Sequence, residues 1–90
     1  MNECCVIGKV LSEPELDFLY QSKRSSVAYF WIILSNNSKI RVIGYDDDAD
    51  YIYQTVKKDE ILSIEGILRV SKNVLELEAT EIEKVKTTEN

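Results

Sequence analysis

Apolar, aromatic and β-branched residues concentrate in five segments, and within several of them apolar and polar positions alternate as in a half-buried β-strand. The five segments span residues 3–11, 26–34, 39–45, 60–70 and 74–83. Ser35-Asn36-Asn37-Ser38 separates the second segment from the third, and Ser71-Lys72-Asn73 separates the fourth from the fifth. Both interruptions are short and made of turn-forming residues. The pattern therefore predicts five strands and two tight hairpins.

One helix is predicted between the two hairpins. Ala49, Ile52 and Val56 recur with the spacing of a single helical face, which predicts a buried stripe. The run Asp46-Asp47-Asp48 precedes them, and Lys57-Lys58 follows them. Aspartates favour the N-terminus of a helix and lysines its C-terminus, so we interpret the three aspartates as caps in preference to a metal site.

Two glycines interrupt strong strand segments and add to this picture. Gly8 and Gly66 each indicate a bulge or a bend where a strand turns a barrel corner. Three strands, a helix and two further strands follow the order of an OB barrel. We therefore predict an all-β fold with one short helix, a five-stranded OB barrel with the helix between strands 3 and 4. One domain is expected over residues 1–86, with a disordered end at 87–90.

Composition narrows the function classes. The chain has 90 residues, 44% of them hydrophobic and 30% charged, which fits one soluble domain. No apolar stretch approaches the roughly 18 residues of a membrane span, and Met1-Asn2-Glu3 lacks the basic start of a secretory signal. We expect no membrane contact. The expected location is the cytoplasm or an organelle stroma or matrix, and the protein is not expected to be secreted.

The reactive side chains argue against catalysis. The chain contains no histidine and no glycine-rich phosphate loop. Its two cysteines, Cys4 and Cys5, are neighbours that point to opposite faces of a strand, so they suit neither a disulfide nor a familiar zinc site. No enzymatic activity, metal or cofactor is predicted.

Charge is distributed unevenly along the chain. The net charge of −5 argues mildly against a nucleic-acid partner. Residues 1–45, however, hold five basic and four acidic residues, whereas residues 46–90 hold six basic and twelve acidic ones. The sign of the whole chain therefore does not settle the sign of any one face.

Alternation separates an inner from an outer face in the third segment. Ile40 and Val42 form the inner side, while Lys39, Arg41, Ile43 and Tyr45 lie on the other. Cations combined with an aromatic ring are suited to a phosphate backbone with stacked bases.

The second segment is apolar on both faces, which indicates either cover on both sides or an exposed working surface. Tyr29 and Trp31 share its outer face, and the short hairpin places Trp31 opposite Arg41 or Ile43. The alternative is burial in an oligomer, against which the cations argue. In the first strand, Cys5 and Ile7 point outward, and we interpret them as a subunit contact in preference to a thin surface patch.

The chain resembles bacterial and organellar single-stranded DNA-binding proteins over about residues 2–83. The motifs that carry the resemblance are Asn2-x-Cys4-x-Val6-x-Gly8-Lys9-Val10, Pro14-Glu15-Leu16, Val27-Ala28-x-Phe30-x-Ile32, Ile40-Arg41-Val42-Ile43-x-Tyr45, Ala49-Asp50 and Val56 to Arg69. Each is weak alone, but their order is specific. The resemblance implies an OB core that assembles as dimers or tetramers through its first strand. Residues 87–90 do not resemble the family's acidic tail, so recruitment of enzymes through a tail is not expected.

The resemblance also implies roles for single residues. Tyr45 matches a base-stacking ring, Arg41 a basic position of the binding face, and Arg69 and Lys72 the hairpin that wraps over the strand. Lys39 and Asn73 stand where the family has rings, and the loop at residues 35–38 is short. The roles of Tyr29 and Trp31 rest on alternation alone.

These observations predict a sequence-tolerant binder of single-stranded DNA or RNA with low affinity and steep salt dependence. The expected binding residues are Tyr29, Trp31, Lys39, Arg41, Tyr45, Arg69 and Lys72, with Lys9, Lys23, Arg24, Phe18 and Tyr20 as further candidates.

The alternative is an interaction subunit of a replication or primosome-type assembly, which the lost rings and the acidic second half favour. Crowding of the face by Glu65, Glu76 or Glu78 would weaken the binder hypothesis. Glu76 is expected on a far strand, where its replacement should do little.

Overall fold

The computed structural model describes residues 3–20 and 23–86, which form six strands and one helix. The elements are β1 (Glu3–Val10), β2 (Glu15–Phe18), β3 (Ser26–Ile33), β4 (Lys39–Tyr45), α1 (Asp47–Thr55), β5 (Ile61–Ser71) and β6 (Val74–Lys84). The five predicted strands correspond to β1, β3, β4, β5 and β6. The predicted end at residues 87–90 lies outside the described residues.

The short strand β2 was not predicted. It pairs with β3 from Glu15 opposite Tyr29 to Phe18 opposite Ser26, just beyond the point where β1 pairs Val10 with Ile32. β2 therefore continues the first strand along the same partner. Its composition hides it, since Pro14 precedes it and two of its four residues are acidic.

The sheet closes into a barrel through three kinds of pairing. β3 and β4 form one antiparallel hairpin, and β5 and β6 form another. β1 pairs with β5 along most of its length and with β3 at Lys9 and Val10. β4 and β6 run parallel, with Arg41 opposite Glu76 and Ile43 opposite Glu78. The parallel pairing completes the ring and places the two hairpins side by side.

The core lies inside this ring, under α1. Its largest fully buried side chains include Phe30, Ile32, Leu62, Ile64 and Leu77. Ala49, Ile52 and Val56 are at most 2% exposed, so the predicted helical stripe is confirmed. Within the described ranges, no helix has the length and apolar character to cross a membrane.

The predicted capping of α1 is wrong in detail. Asp46 precedes the helix with φ 54°, and its side chain makes no capping hydrogen bond. Its Oδ1 instead accepts hydrogen bonds from the backbone N–H of Ser25 at 2.7 Å and from the Ser25 hydroxyl at 3.0 Å. Lys57 and Lys58 follow the helix, which ends at Thr55.

The predicted corner at Gly66 is confirmed by a register shift between β5 and β6. Glu65 pairs with Glu81 and Gly66 with Ala79, so Thr80 is the extra residue of the bulge. A Cβ atom at position 66 would overlap the carbonyl oxygen of Glu78. Gly66 is therefore required by the close approach of β6.

Both predicted hairpins are present. The β3–β4 turn is closed by hydrogen bonds from Leu34 N–H to the Ser38 carbonyl at 2.8 Å and from Asn37 N–H to the Leu34 carbonyl at 2.9 Å. The β5–β6 hairpin turns through Lys72 and Asn73, whose φ angles are 51° and 66°, as in a two-residue type I′ turn.

Candidate functional site

The outer faces of β3 and β4 lie side by side, as alternation predicted. Along β3 every second residue is buried, which leaves Tyr29 and Trp31 partly exposed. Trp31 pairs with Arg41, the first of the two predicted registers. Tyr45 pairs with Val27 and Lys39 with Ile33, at opposite ends of the same face.

A cleft of about 640 Å³ lies across this face and the neighbouring β5–β6 hairpin. It is lined by Leu19, Arg24, Val27, Tyr29, Arg41, Ile43, Tyr45, Arg69, Ser71, Lys72 and Glu76. Five of the seven predicted binding residues are among them: Tyr29, Arg41, Tyr45, Arg69 and Lys72. Trp31 and Lys39 lie on the same strands but outside the lining. The parallel β4–β6 pairing brings the two hairpins together here.

Three arginines and two glutamates form a continuous ion-pair network across the cleft. The Arg41 guanidinium contacts Glu76 Oε2 through Nε at 2.9 Å and Nη2 at 2.8 Å. Arg69 lies between the two glutamates, with Nε 3.7 Å from Glu76 and Nη2 2.7 Å from Glu78. Arg24 completes the chain at 3.6 Å from Glu78. Each arginine therefore has a carboxylate within ion-pair distance.

Aromatic rings stand at both ends of this network. The Arg24 guanidinium lies 4.0 Å from the centroid of the Tyr45 ring, and that of Arg41 lies 5.8 Å from the Trp31 ring. Both distances are within the range of cation–π attraction. Two of the rings predicted to meet bases, Tyr45 and Trp31, therefore lie beside guanidinium groups of the same protein.

Comparison with protein-family models and with curated proteins finds no match. Solved structures do match. The SSB domain of a Synechococcus protein superposes with a TM-score of 0.80 at 21% identity, over 91% of this chain and 93% of that one. The second single-stranded DNA-binding protein of Mycobacterium smegmatis gives 0.78 at 15% identity, over 99% and 98% of the two chains. The single-stranded DNA-binding protein of Thermus aquaticus gives 0.85 at 16% identity, over 100% of this chain and 43% of that one.

The chain has the fold of bacterial single-stranded DNA-binding proteins. The predicted OB barrel with one helix is thereby confirmed, with β2 as an extension of its first strand. At these identities the likeness concerns the fold, so the function of this barrel has to be argued from its own side chains.

The placement of Glu76 on a far strand was wrong. β6 is the direct neighbour of β4, and the Glu76 side chain, 5% exposed, is held between Arg41 and Arg69. Glu76 and Glu78 both lie on the predicted binding face. Their negative charge there weakens the hypothesis that the protein binds nucleic acid. Glu65 does not, because it pairs with Cys5 on the β1–β5 side of the barrel.

Arg24 has a larger part in the cleft than the sequence indicated, because the residues that follow it are hydrogen-bonded to Asp46, next to the end of β4. The Asp46 carboxylate accepts hydrogen bonds from Ser25 and, at 3.3 Å, from the backbone N–H of Ser26. These bonds, with that from the Ser25 backbone foremost, lower the pKa of Asp46. The segment is thus fixed beside Tyr45, where the Arg24 guanidinium contacts the ring.

The β2 edge of the face is acidic. Glu15 pairs with Tyr29 and Asp17 with Val27. Burial and then these two carboxylates raise the pKa of the Tyr29 hydroxyl. A polyanion on this face would therefore lie toward β4 and the β5–β6 hairpin, away from β2.

The further candidates are scattered. Phe18 and Tyr20 are highly exposed but do not line the cleft. Lys9 forms an ion pair with Asp59 at 4.0 Å, and Lys23 is exposed. Cys5 and Ile7 are both exposed on the outer side of β1, as predicted, and their role in a subunit contact stays a prediction.

Proposed function

We propose that this chain is a non-enzymatic, sequence-tolerant binding protein for single-stranded DNA. The strand would lie in the cleft between the β3–β4 face and the β5–β6 hairpin. The observation that supports this most directly is the gathering of Tyr29, Tyr45, Arg41, Arg69 and Lys72 around one cleft of the barrel. The fold shared with single-stranded DNA-binding proteins is consistent with it.

The chemistry of the cleft suits an unpaired strand. The partly exposed rings of Tyr29 and Tyr45 in the cleft, and of Trp31 beside it, offer stacking, which contributes about 1–3 kcal/mol per base and is tolerant of sequence. Lysine and arginine supply contacts for the phosphates. Among residues 3–20 and 23–86, no carboxylate forms an ion pair with Lys39 or Lys72. Among the predicted binding residues, these two lysines are therefore the cations most readily available to phosphate.

Affinity should be modest. Three guanidinium groups share the cleft with two carboxylates, so the network leaves only one net positive charge. Glu15 and Asp17 add negative charge at the β2 edge. Stacking and the two unpaired lysines would then supply most of the binding free energy, with a smaller electrostatic contribution than in a strongly basic cleft.

A second candidate function is a protein–protein interaction module in a replication or primosome-type assembly. It is favoured by the same two carboxylates, since Glu76 and Glu78 offset the charge that a nucleic acid would need. A homodimer or homotetramer formed through Cys5 and Ile7 is compatible with either function, because β1 lies outside the cleft lining.

The proposal is tested by titrating the protein with a dye-labelled oligo-dT strand at low and moderate salt. We expect fluorescence anisotropy to rise on binding, and the emission of Trp31 to be quenched in parallel. The logarithm of the affinity should fall with the logarithm of salt concentration by about 0.7 for each phosphate contact.

Competitors define the ligand in the same experiment. An excess of unlabelled single strand should displace the labelled one, whereas duplex of the same length should not, because its bases are unavailable for stacking. Equal competition by oligo-U would extend the ligand to RNA. Absence of any anisotropy change at low salt, with a protein shown to be folded by circular dichroism, would favour the interaction module.

A further inference from the structure

The ion pairs in the cleft occupy the edges of the Arg41 and Arg69 guanidinium groups that would otherwise hold a phosphate. Arginine binds carboxylate and phosphate groups best through two adjacent N–H donors. In Arg41 these are Nε and Nη2, and both contact Glu76 Oε2 within 2.9 Å. In Arg69, Nε faces Glu76 at 3.7 Å and Nη2 faces Glu78 at 2.7 Å. An incoming phosphate would meet donors that are already engaged.

The two glutamates are not placed alike. The Glu76 side chain is 5% exposed, so its charge depends on Arg41 and Arg69 for compensation. The Glu78 side chain is 25% exposed and bridges Arg69 and Arg24. Glu78 can therefore be neutralised at smaller structural cost than Glu76, while both act on the same arginines.

We propose that Glu76 and Glu78 are internal counter-anions that compete with the phosphates of a bound strand for Arg41, Arg69 and Arg24. This inference rests on the proposed function and names the residues that limit its affinity. Because the carboxylates are covalently part of the protein, they are always present beside the guanidinium groups. A bound phosphate therefore contributes less binding free energy than it would beside an unpaired arginine, because it must displace the carboxylate or share the guanidinium group with it.

The expected consequence is a gain of binding when a carboxylate becomes an amide. Glu78→Gln and Glu76→Gln each remove one negative charge and keep the shape and an acceptor oxygen. A carboxylate and a phosphate about 4 Å apart repel each other, even in a water-like medium, by an energy that corresponds to about a fivefold change in affinity. Each variant should therefore bind oligo-dT about fivefold tighter at low salt. The salt slope should also steepen, by about 0.7 for each additional phosphate contact.

Glu83→Gln is the matched control. It lies on the same strand, is exposed, and carries out the same change of charge. Its position five residues beyond Glu78 corresponds to about 16 Å along the strand. Affinity and salt slope should therefore change little in this variant. Thermal unfolding of each protein verifies that the compared samples are folded. If Glu76→Gln is unstable, the affinity and salt slope of Glu78→Gln test the inference.

The outcomes separate this inference from the proposed function. Tighter binding and a steeper salt slope in the Glu78 and Glu76 variants, with Glu83→Gln unchanged, support it. Equal or weaker binding of those variants beside a wild-type protein that does bind overturns it, because the carboxylates would then serve to position the arginines. If the variants bind and the wild type does not, the inference is supported, but the wild-type protein lacks the proposed function. Binding by none of the proteins overturns both.

Discussion

Gly66→Ala is expected to destabilise the barrel by roughly 3 kcal/mol or more, a large share of the stability of a domain of this size. The added methyl group would overlap the carbonyl oxygen of Glu78, and a backbone atom within a paired strand cannot move aside cheaply. No glycine of the described residues has a positive φ, so the cost arises from space. Urea unfolding followed by circular dichroism measures it.

Gly44→Ala provides the comparison. Its new Cβ would lie 2.7 Å from the Ile52 Cδ1 atom, the end of a flexible side chain, and 3.1 Å from Asp48 Cβ. The destabilisation should be smaller, about 1–2 kcal/mol, because the isoleucine can change its rotamer. If Gly66→Ala unfolded at the same urea concentration as the wild type, the bulge between β5 and β6 would not be as tight as described.

Arg41→Ala is expected to weaken binding to oligo-dT by tenfold or more at low salt. The substitution removes a cation of the cleft and the cation–π partner of Trp31, and it leaves the negative charge of the buried Glu76 with only the more distant Arg69. The salt slope should fall by less than the value of about 0.7 for a full phosphate contact, because Arg41 shares its donors with Glu76. Anisotropy of the labelled strand measures both quantities.

Lys58→Ala changes the net charge of the protein by the same amount outside the cleft lining. We expect its affinity to stay within about twofold of the wild type, because Lys58 does not line the cleft and exposed charges interact weakly through water. Arg41→Ala is also expected to lower stability by about 2 kcal/mol through the uncompensated Glu76, so its binding is compared at a temperature where it is folded. Equal losses in the two variants would point to a non-specific charge effect.

Local patterns were enough to predict most of the fold. Strand alternation placed Tyr29, Trp31, Arg41 and Tyr45 on one face. The turn residues allowed two registers of the hairpin, and the structure has the one that pairs Trp31 with Arg41. These features depend on residues close in sequence, and period-two alternation records them directly. The order of strands and helix along the chain, with the two internal glycines, predicted the OB barrel but not that β6 is the neighbour of β4. β2 escaped although its four residues alternate, because it is short, follows Pro14 and contains two acidic residues.

The charge balance of the cleft could not be read in the same way. Glu76 meets Arg41 across a parallel pairing of residues 35 positions apart, on strands that no single turn connects. Asp46, which has a positive φ, likewise accepts a hydrogen bond from Ser25, 21 positions away. A sequence shows that both carboxylates exist, but only the closed barrel shows which groups they contact.

The most direct test of the account is a map of the residues that sense a bound strand. Amide chemical shifts of the ¹⁵N-labelled protein, recorded during titration with oligo-dT, should change most for Trp31, Arg41, Tyr45, Arg69 and Lys72. Signals of Cys5 and Ile7 on β1 should stay in place. Shifts that are concentrated on β1 instead, or that are absent with a large excess of the strand, would contradict the account.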